Sequence, residues 1–161
     1  MTAGDQARVS VAVALPPSDA FRIFTEEIDQ WWRRGPRFRV ADRSPGALHV
    51  ECRLGGLVFE THGDAQHEIG VVTAWDPPHR FAFTWRSITF TRGETTEVDV
   101  RFTARGNGTE VALEHRGWSA IPDDHPVRHG QVGSVFLAST GRWWADLMTS
   151  LREHVAETRP R

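Results

Sequence analysis

Residues 96–116 read TEVDVRFTARGNGTEVALEHR, two runs of alternating apolar and polar residues on either side of Gly106-Asn107-Gly108-Thr109. Alternation with a period of two marks a strand with one buried face, and Asn-Gly between two such runs is a strong hairpin signal. Centring the turn on Asn107-Gly108 predicts Arg105 opposite Glu110, Arg101 opposite Glu114 and Asp99 opposite Arg116, three complementary pairs on a solvent-exposed face. The other face then pairs Phe102 with Leu113, Val100 with His115 and Val98 with Gly117. A slip of one residue would set Arg101 against Leu113 and mix the faces. His115 is thereby placed among apolar neighbours, where its imidazole needs a partner.

The same short alternating runs extend outward over residues 47–118, the pattern of an antiparallel meander of about six strands. A turn at Gly55-Gly56 would pair Cys52 with Phe59 and Val50 with Thr61 on an apolar face, and Glu51 with Glu60 and His49 with His62 on the other. A four-residue turn at Asp76-Pro77-Pro78-His79 would set Val72 against Phe83, Ala74 against Phe81 and Gly70 against Trp85, the glycine making room for the indole. The stretch from His62 to His67 is most simply a hairpin connection. Before the meander, Arg8 to Leu15 alternates as a strand, and Pro16-Pro17 stops it. Ser18 or Asp19 can cap a helix to about Trp32, with Phe21, Phe24, Ile28 and Trp31 or Trp32 at helical spacing, ended by Gly35-Pro36. After Trp118 a polar loop runs through Pro126, and a helix follows. Gly130, Gly133 and Gly141 weaken it, which moves its expected start toward Ser134 with a short helix before it; the 23 residues from Ser134 to Ala156 span roughly 35 Å, so the helix must lie across the sheet's apolar face. The order predicts an α+β fold in which a curved antiparallel sheet wraps around a long C-terminal helix.

The 161 residues are sized for one domain, with an ordered core over about 7–157 and a fraying end near Pro160. A net charge of -2 supplies no footprint for nucleic acid or anionic membrane, and no apolar run approaches the roughly 18 residues that span a bilayer. The first ten residues lack the order of a signal peptide, so the expected compartment is the cytoplasm. A single cysteine, Cys52, excludes an internal disulfide and a thiolate zinc cluster. All basic residues are arginine, and seven tryptophans join nine phenylalanines with no tyrosine. So much indole points to a large core or an aromatic-lined pocket.

Four motifs resemble the activator of heat-shock-protein-90 ATPase homologue family, a bacterial branch of the START and pollen-allergen-like superfamily with the helix-grip fold. They are Pro17 to Trp32 with its terminal Trp31-Trp32, Gly55-Gly56, Trp75-Asp76-Pro77-Pro78-His79-Arg80-Phe81 followed by Thr84-Trp85, and Thr95-Thr96-Glu97-Val98 leading to Leu113-Glu114-His115. Gly141 with Trp143-Trp144 loosely resembles the family's glycine-tryptophan near the start of the last helix, with extra residues before it. The resemblance implies a cavity between sheet and C-terminal helix suited to a small apolar ligand, and it does not imply an enzyme. ATPase activation is not expected, because the eukaryotic co-chaperone carries an additional N-terminal domain without a counterpart here.

The expected ligand site comprises Phe83, Trp85, Phe102, His115, Phe136, Trp143 and Leu147, with Glu60 if the sheet curls to turn it inward, and it requires no cofactor or metal. A cyclase- or hydrolase-like enzyme using His115 with Glu60 or another carboxylate as acid–base pair is an alternative, as is an interaction module that engages a chaperone or forms a homodimer through exposed tryptophans. Glu51, Glu60, His49 and His62 have metal-like geometry in the assumed register but are read as a solvated face. His125 and His129, four apart, are read as part of a loop and cap beside Asp123, Asp124 and Pro126. No phosphate loop or nucleophile elbow is present, and Cys52 alternates with core residues.

Overall fold

A computed structural model describes residues 5–35, 37–39 and 46–158; Pro36 and Pro160, which figure in the expectations above, lie outside them. Seven strands form one antiparallel sheet: β1 (Ala7–Val13), β2 (Ala47–Val50), β3 (Leu57–His62), β4 (Ala65–Asp76), β5 (Arg80–Trp85), β6 (Thr96–Arg105) and β7 (Gly108–Arg116). Their order is β1-β7-β6-β5-β4-β3-β2, so the meander closes back on the first strand. Helices α1 (Pro17–Glu26) and α2 (Ile28–Trp31) follow β1, and α3 (Gly133–Thr158) ends the described chain. The sheet curls into a half-barrel around α3, the helix-grip arrangement. Pro16 caps α1 without a side-chain hydrogen bond, and the helix breaks at Glu27 where one continuous helix was expected.

The concave face carries Phe81, Phe83, Val98, Val100, Phe102, Val111 and Leu113, all buried. Trp144, Leu147, Met148, Leu151 and Val155 of α3 meet them from one side, and Phe21, Phe24, Ile28 and Trp31 of α1 and α2 from another. A second cluster of Phe90, Trp118, Ile121, Phe136 and Leu137 forms where the segment after β7 folds over the start of α3.

Three expected registers are corrected. In the β6–β7 hairpin, Arg101 pairs with Ala112 and Asp99 with Glu114, two residues away from the complementary alignment. The turn is Gly106-Asn107, with Gly106 at φ 59°, and Gly108 is a strand residue. A β-carbon on Gly108 would overlap the Val13 carbonyl, so this glycine serves the close approach of β1 rather than the turn. An even shift leaves every residue on its expected face. The charges still meet, diagonally: Arg105 lies 3.1 Å from Glu110, and Arg116 lies 3.0 Å from Asp99. The charged face is not wholly exposed, because Asp99 is buried beneath Arg80 and Arg116.

The β2–β3 connection spans residues 51–56, and Leu48 pairs with Glu60 and His49 with Phe59, three residues from the expected alignment. Gly55-Gly56 does not centre a tight hairpin; it docks on β4, with Gly55 N–H donating to the Val72 carbonyl and Val72 N–H to that of Gly56. An odd shift exchanges the faces, which turns Glu60 inward and leaves His49 outward beside Thr61. Cys52 is exposed in this connection instead of alternating with the core.

Between β4 and β5, Val72 opposes Phe83 as expected, but a bulge before Ala74 sets it against Ala82, and the turn has three residues, 77–79. A β-carbon on Gly70 would overlap the Thr84 carbonyl oxygen, so the glycine makes room for backbone and not for the Trp85 indole.

Candidate functional site

A cavity of about 450 Å³ lies between the β3–β5 end of the sheet, the first turns of α3 and the segments 37–39 and 117–131. Trp32, Phe38, Trp85, Trp118, Phe136 and Trp143 give it aromatic walls, while Ser87, His129, Gln131 and Ser139 supply polar groups. Among the expected site residues, Glu60, Trp85, His115, Phe136 and Trp143 line it together. Phe83, Phe102 and Leu147 are instead packed in the core, Phe102 against Phe21 and Phe24 of α1 and Phe83 against Phe81.

Two irregular segments complete the enclosure. Residues 37–39 are strapped across by indoles: Trp32 Nε1–H donates to the Phe38 carbonyl at 2.9 Å and Trp143 Nε1–H to that of Arg37 at 2.8 Å. The buried Arg39 guanidinium anchors the strap to Asp29 Oδ1 at 2.7 Å and to the Trp32 carbonyl at 2.8 Å. Burial pushes the Asp29 pKa up, but the Leu48 N–H and the Arg39 and Arg34 charges outweigh it and hold the carboxyl below its usual range.

Within residues 117–131, where a polar loop was expected after Trp118 through Pro126, the chain forms two 3-10 turns, Trp118–Ala120 and Pro126–Arg128. Buried Arg128 pins them by donating to the carbonyls of Trp118, Ile121 and Pro122 at 2.8, 2.7 and 3.0 Å. His125 caps the second turn, accepting from Val127 N–H at 3.1 Å, with its Nε2 2.9 Å from Glu94. His129 adopts φ 48° past the end of that turn, so the two histidines do not act as a pair.

His115 sits on the cavity wall at 2% exposure. Trp144 Nε1–H donates to its Nδ1 at 3.0 Å, which leaves the proton on Nε2, 2.7 Å from Thr96 Oγ1. Thr96 Oγ1 in turn lies 3.4 Å from the Trp85 carbonyl. Burial pushes the His115 pKa down to about 3, so the ring is neutral around pH 7. Glu60, 1% exposed, lies with its Oε1 3.3 Å from His62 Nε2. The grouping of Glu51, Glu60, His49 and His62 is dissolved by the register, and among the described residues no cluster of three or more His, Cys, Asp or Glu is placed for a metal.

The model of the family described as Activator of Hsp90 ATPase homolog 1-like protein matches residues 14–156. The chain belongs to this family. A search of curated proteins finds no match. Among solved structures, the Aha1 dimer from Colwellia psychrerythraea is similar at 14% identity and TM-score 0.64, covering 93% of this chain and 95% of that one. An HSP90 activator from Plasmodium falciparum matches at 17% identity and TM-score 0.65, over 94% and 96% of the two chains. CalU16 from Micromonospora echinospora matches at 17% identity and TM-score 0.61, over 96% and 76%. At these identities the likeness is one of fold. Sequence reasoning missed Trp118, Trp32, Phe38 and Arg128 as builders of the site. For Trp118 and Arg128 the one signal was the extra residues before the last helix.

Proposed function

We propose that this chain binds a small, largely apolar molecule in the cavity and needs no cofactor to do so. The observation that carries the reading is a hollow of about 450 Å³ with six aromatic walls, in the size range of small-molecule sites. Binding is favoured over acid–base catalysis at His115, since both ring nitrogens face protein partners and a pKa of about 3 suits neither an acid nor a base near pH 7. The test is titration with a panel of apolar fluorophores. Saturable quenching of tryptophan emission, altered by Trp85→Phe or Phe136→Leu, is expected; no response to any of them would defeat the reading.

Self-association is a second reading. The Colwellia psychrerythraea neighbour is a dimer, and Val132 and Val135 are exposed on and beside the first turn of α3. Sedimentation across a concentration series would show whether a homodimer forms. No helix among the described residues is long and apolar enough to cross a membrane. The cytoplasm is the compartment we propose, where an exposed thiol such as Cys52 stays reduced.

A further inference from the structure

We infer that the wall formed by residues 117–131 moves outward as a unit to admit and release the ligand, and that the Glu94–His125 pair sets how often it does so. The inference rests on the binding role proposed above and assigns its route of entry. Trp118 and Phe136 are walls of the cavity yet 3% and 6% exposed, so a ring-sized ligand reaches their faces only when this side gives. The packing shows why it can. The main core joins the sheet to α1, α2 and the later turns of α3, whereas Phe90, Trp118, Ile121, Phe136 and Leu137 form a separate, smaller cluster. Regions with few buried apolar contacts open at a lower free energy than the core.

Arg128 ties the two 3-10 turns to each other, so the segment moves as one body. Gly117 at φ 94° and Gly130 at φ 76° bound it, left-handed positions that glycine adopts without strain and that suit a hinge. Asp5 holds the first hinge, accepting from the backbone N–H groups of Gly117, Trp118 and Ser119. Between the hinges, one hydrogen bond among the described residues joins the segment to the β5–β6 connection, residues 86–95: His125 Nε2–H donates to Glu94 Oε1 at 2.9 Å. The proton lies on Nε2 because Nδ1 accepts from Val127 N–H. The same carboxylate oxygen accepts from Thr91 N–H at 2.7 Å, which fixes it to its own turn. Phe90 supplies the apolar part of this contact, 5.4 Å from the His125 ring and 6.1 Å from Trp118 between centroids. Neither Glu94 nor His125 lines the cavity, so loss of their bond eases opening without removing a ligand contact.

The test is stopped-flow binding of N-phenyl-1-naphthylamine, a neutral apolar fluorophore, to wild type and to Glu94→Ala. When binding waits on opening, the opening equilibrium enters the association and dissociation rate constants alike. Both should rise about tenfold in the variant, the worth of one hydrogen bond to a charged group. The tie is present before and after binding, so Kd should stay unchanged. Glu94→Gln, which keeps an acceptor without the charge, should fall between the two proteins. Without fluorophore, Glu94→Ala should exchange amide hydrogens faster in 117–131 while β5–β7 stay protected. Rate constants that do not change while binding persists overturn the inference and leave the binding role in place. Dissociation that quickens alone marks a lost ligand contact and overturns it as well. If Glu94→Ala does not fold, the Glu94→Gln rate constants decide. Failure of wild type to bind the fluorophore overturns the inference and the binding role together.

Discussion

His115 shows how one buried side chain joins several elements around a cavity. Its two nitrogens tie α3 through Trp144 to β6 through Thr96, and its ring supports Trp118. Replacing it with glutamine should lower stability by on the order of 1–3 kcal/mol, as expected when buried partners lose their geometry, with the affinity for apolar fluorophores unchanged. Weakened binding at unchanged stability would return His115 to a direct ligand role. The pH dependence follows from the same burial. The unfolded chain takes up a proton at this residue below about pH 6.5, whereas the folded protein does not until about pH 3. Stability therefore falls as pH drops through that window, on the order of 1 kcal/mol per pH unit, and levels off below it. His115→Gln should lack this slope in urea titrations between pH 4 and 6.5. The difference between the two proteins separates it from Asp29 and Asp99, whose lowered pKa values make stability fall with acid at still lower pH. The inward face of His115 was legible from alternation alone. Its partners were not, because Thr96 and Trp144 reach it from other elements.

At the scale of elements, what alternation encodes is parity. The β6–β7 hairpin kept its faces through a two-residue shift, while β2–β3 exchanged them through a shift of three, which brought Glu60 inside. Turn glycines misled because the same residue type serves two purposes: Gly108 and Gly70 permit close backbone approach, and Gly106 supplies a positive φ. Gly70→Ala should therefore separate β4 from β5 and cost at least about 2 kcal/mol in urea denaturation, more than the helix or strand propensity of alanine can offset. An unchanged midpoint would mean that the Thr84 backbone yields. The segment 117–131 depends on one guanidinium. Arg128→Met keeps the apolar stem but leaves three carbonyls without their donor, so hydrogen exchange should quicken in this segment while β5–β7 stay protected. Uniform quickening across the sheet would show that the segment unfolds only with the whole.

On the scale of the whole molecule, the cavity exists because α3 cannot fill both ends of a curled sheet. Trp144, Leu147, Met148 and Leu151 pack the closed end, and the first turns of α3 stand off from Glu60, Ile69 and Trp85. Occupancy should stabilise the fold: a cavity ligand at 100 times its Kd adds about 2.7 kcal/mol, read as a raised Tm. Ser139→Trp, which places an indole in the hollow from α3, should abolish that rise without lowering the unliganded Tm. A ligand-dependent rise that survives in this variant would place the ligand elsewhere. The α+β class, the helix-grip arrangement and the inward faces of β5 to β7 were determined by the sequence itself, since periodicity and chain order are local properties that every residue in an element repeats. Which residues line the cavity was decided only in the tertiary structure. Glu60 turned inward because a six-residue connection docks on β4, and Trp118 became a wall because Arg128 folds an outwardly polar stretch over α3. Such contacts join residues far apart in the chain, and their register depends on loop lengths and backbone docking that no local pattern records.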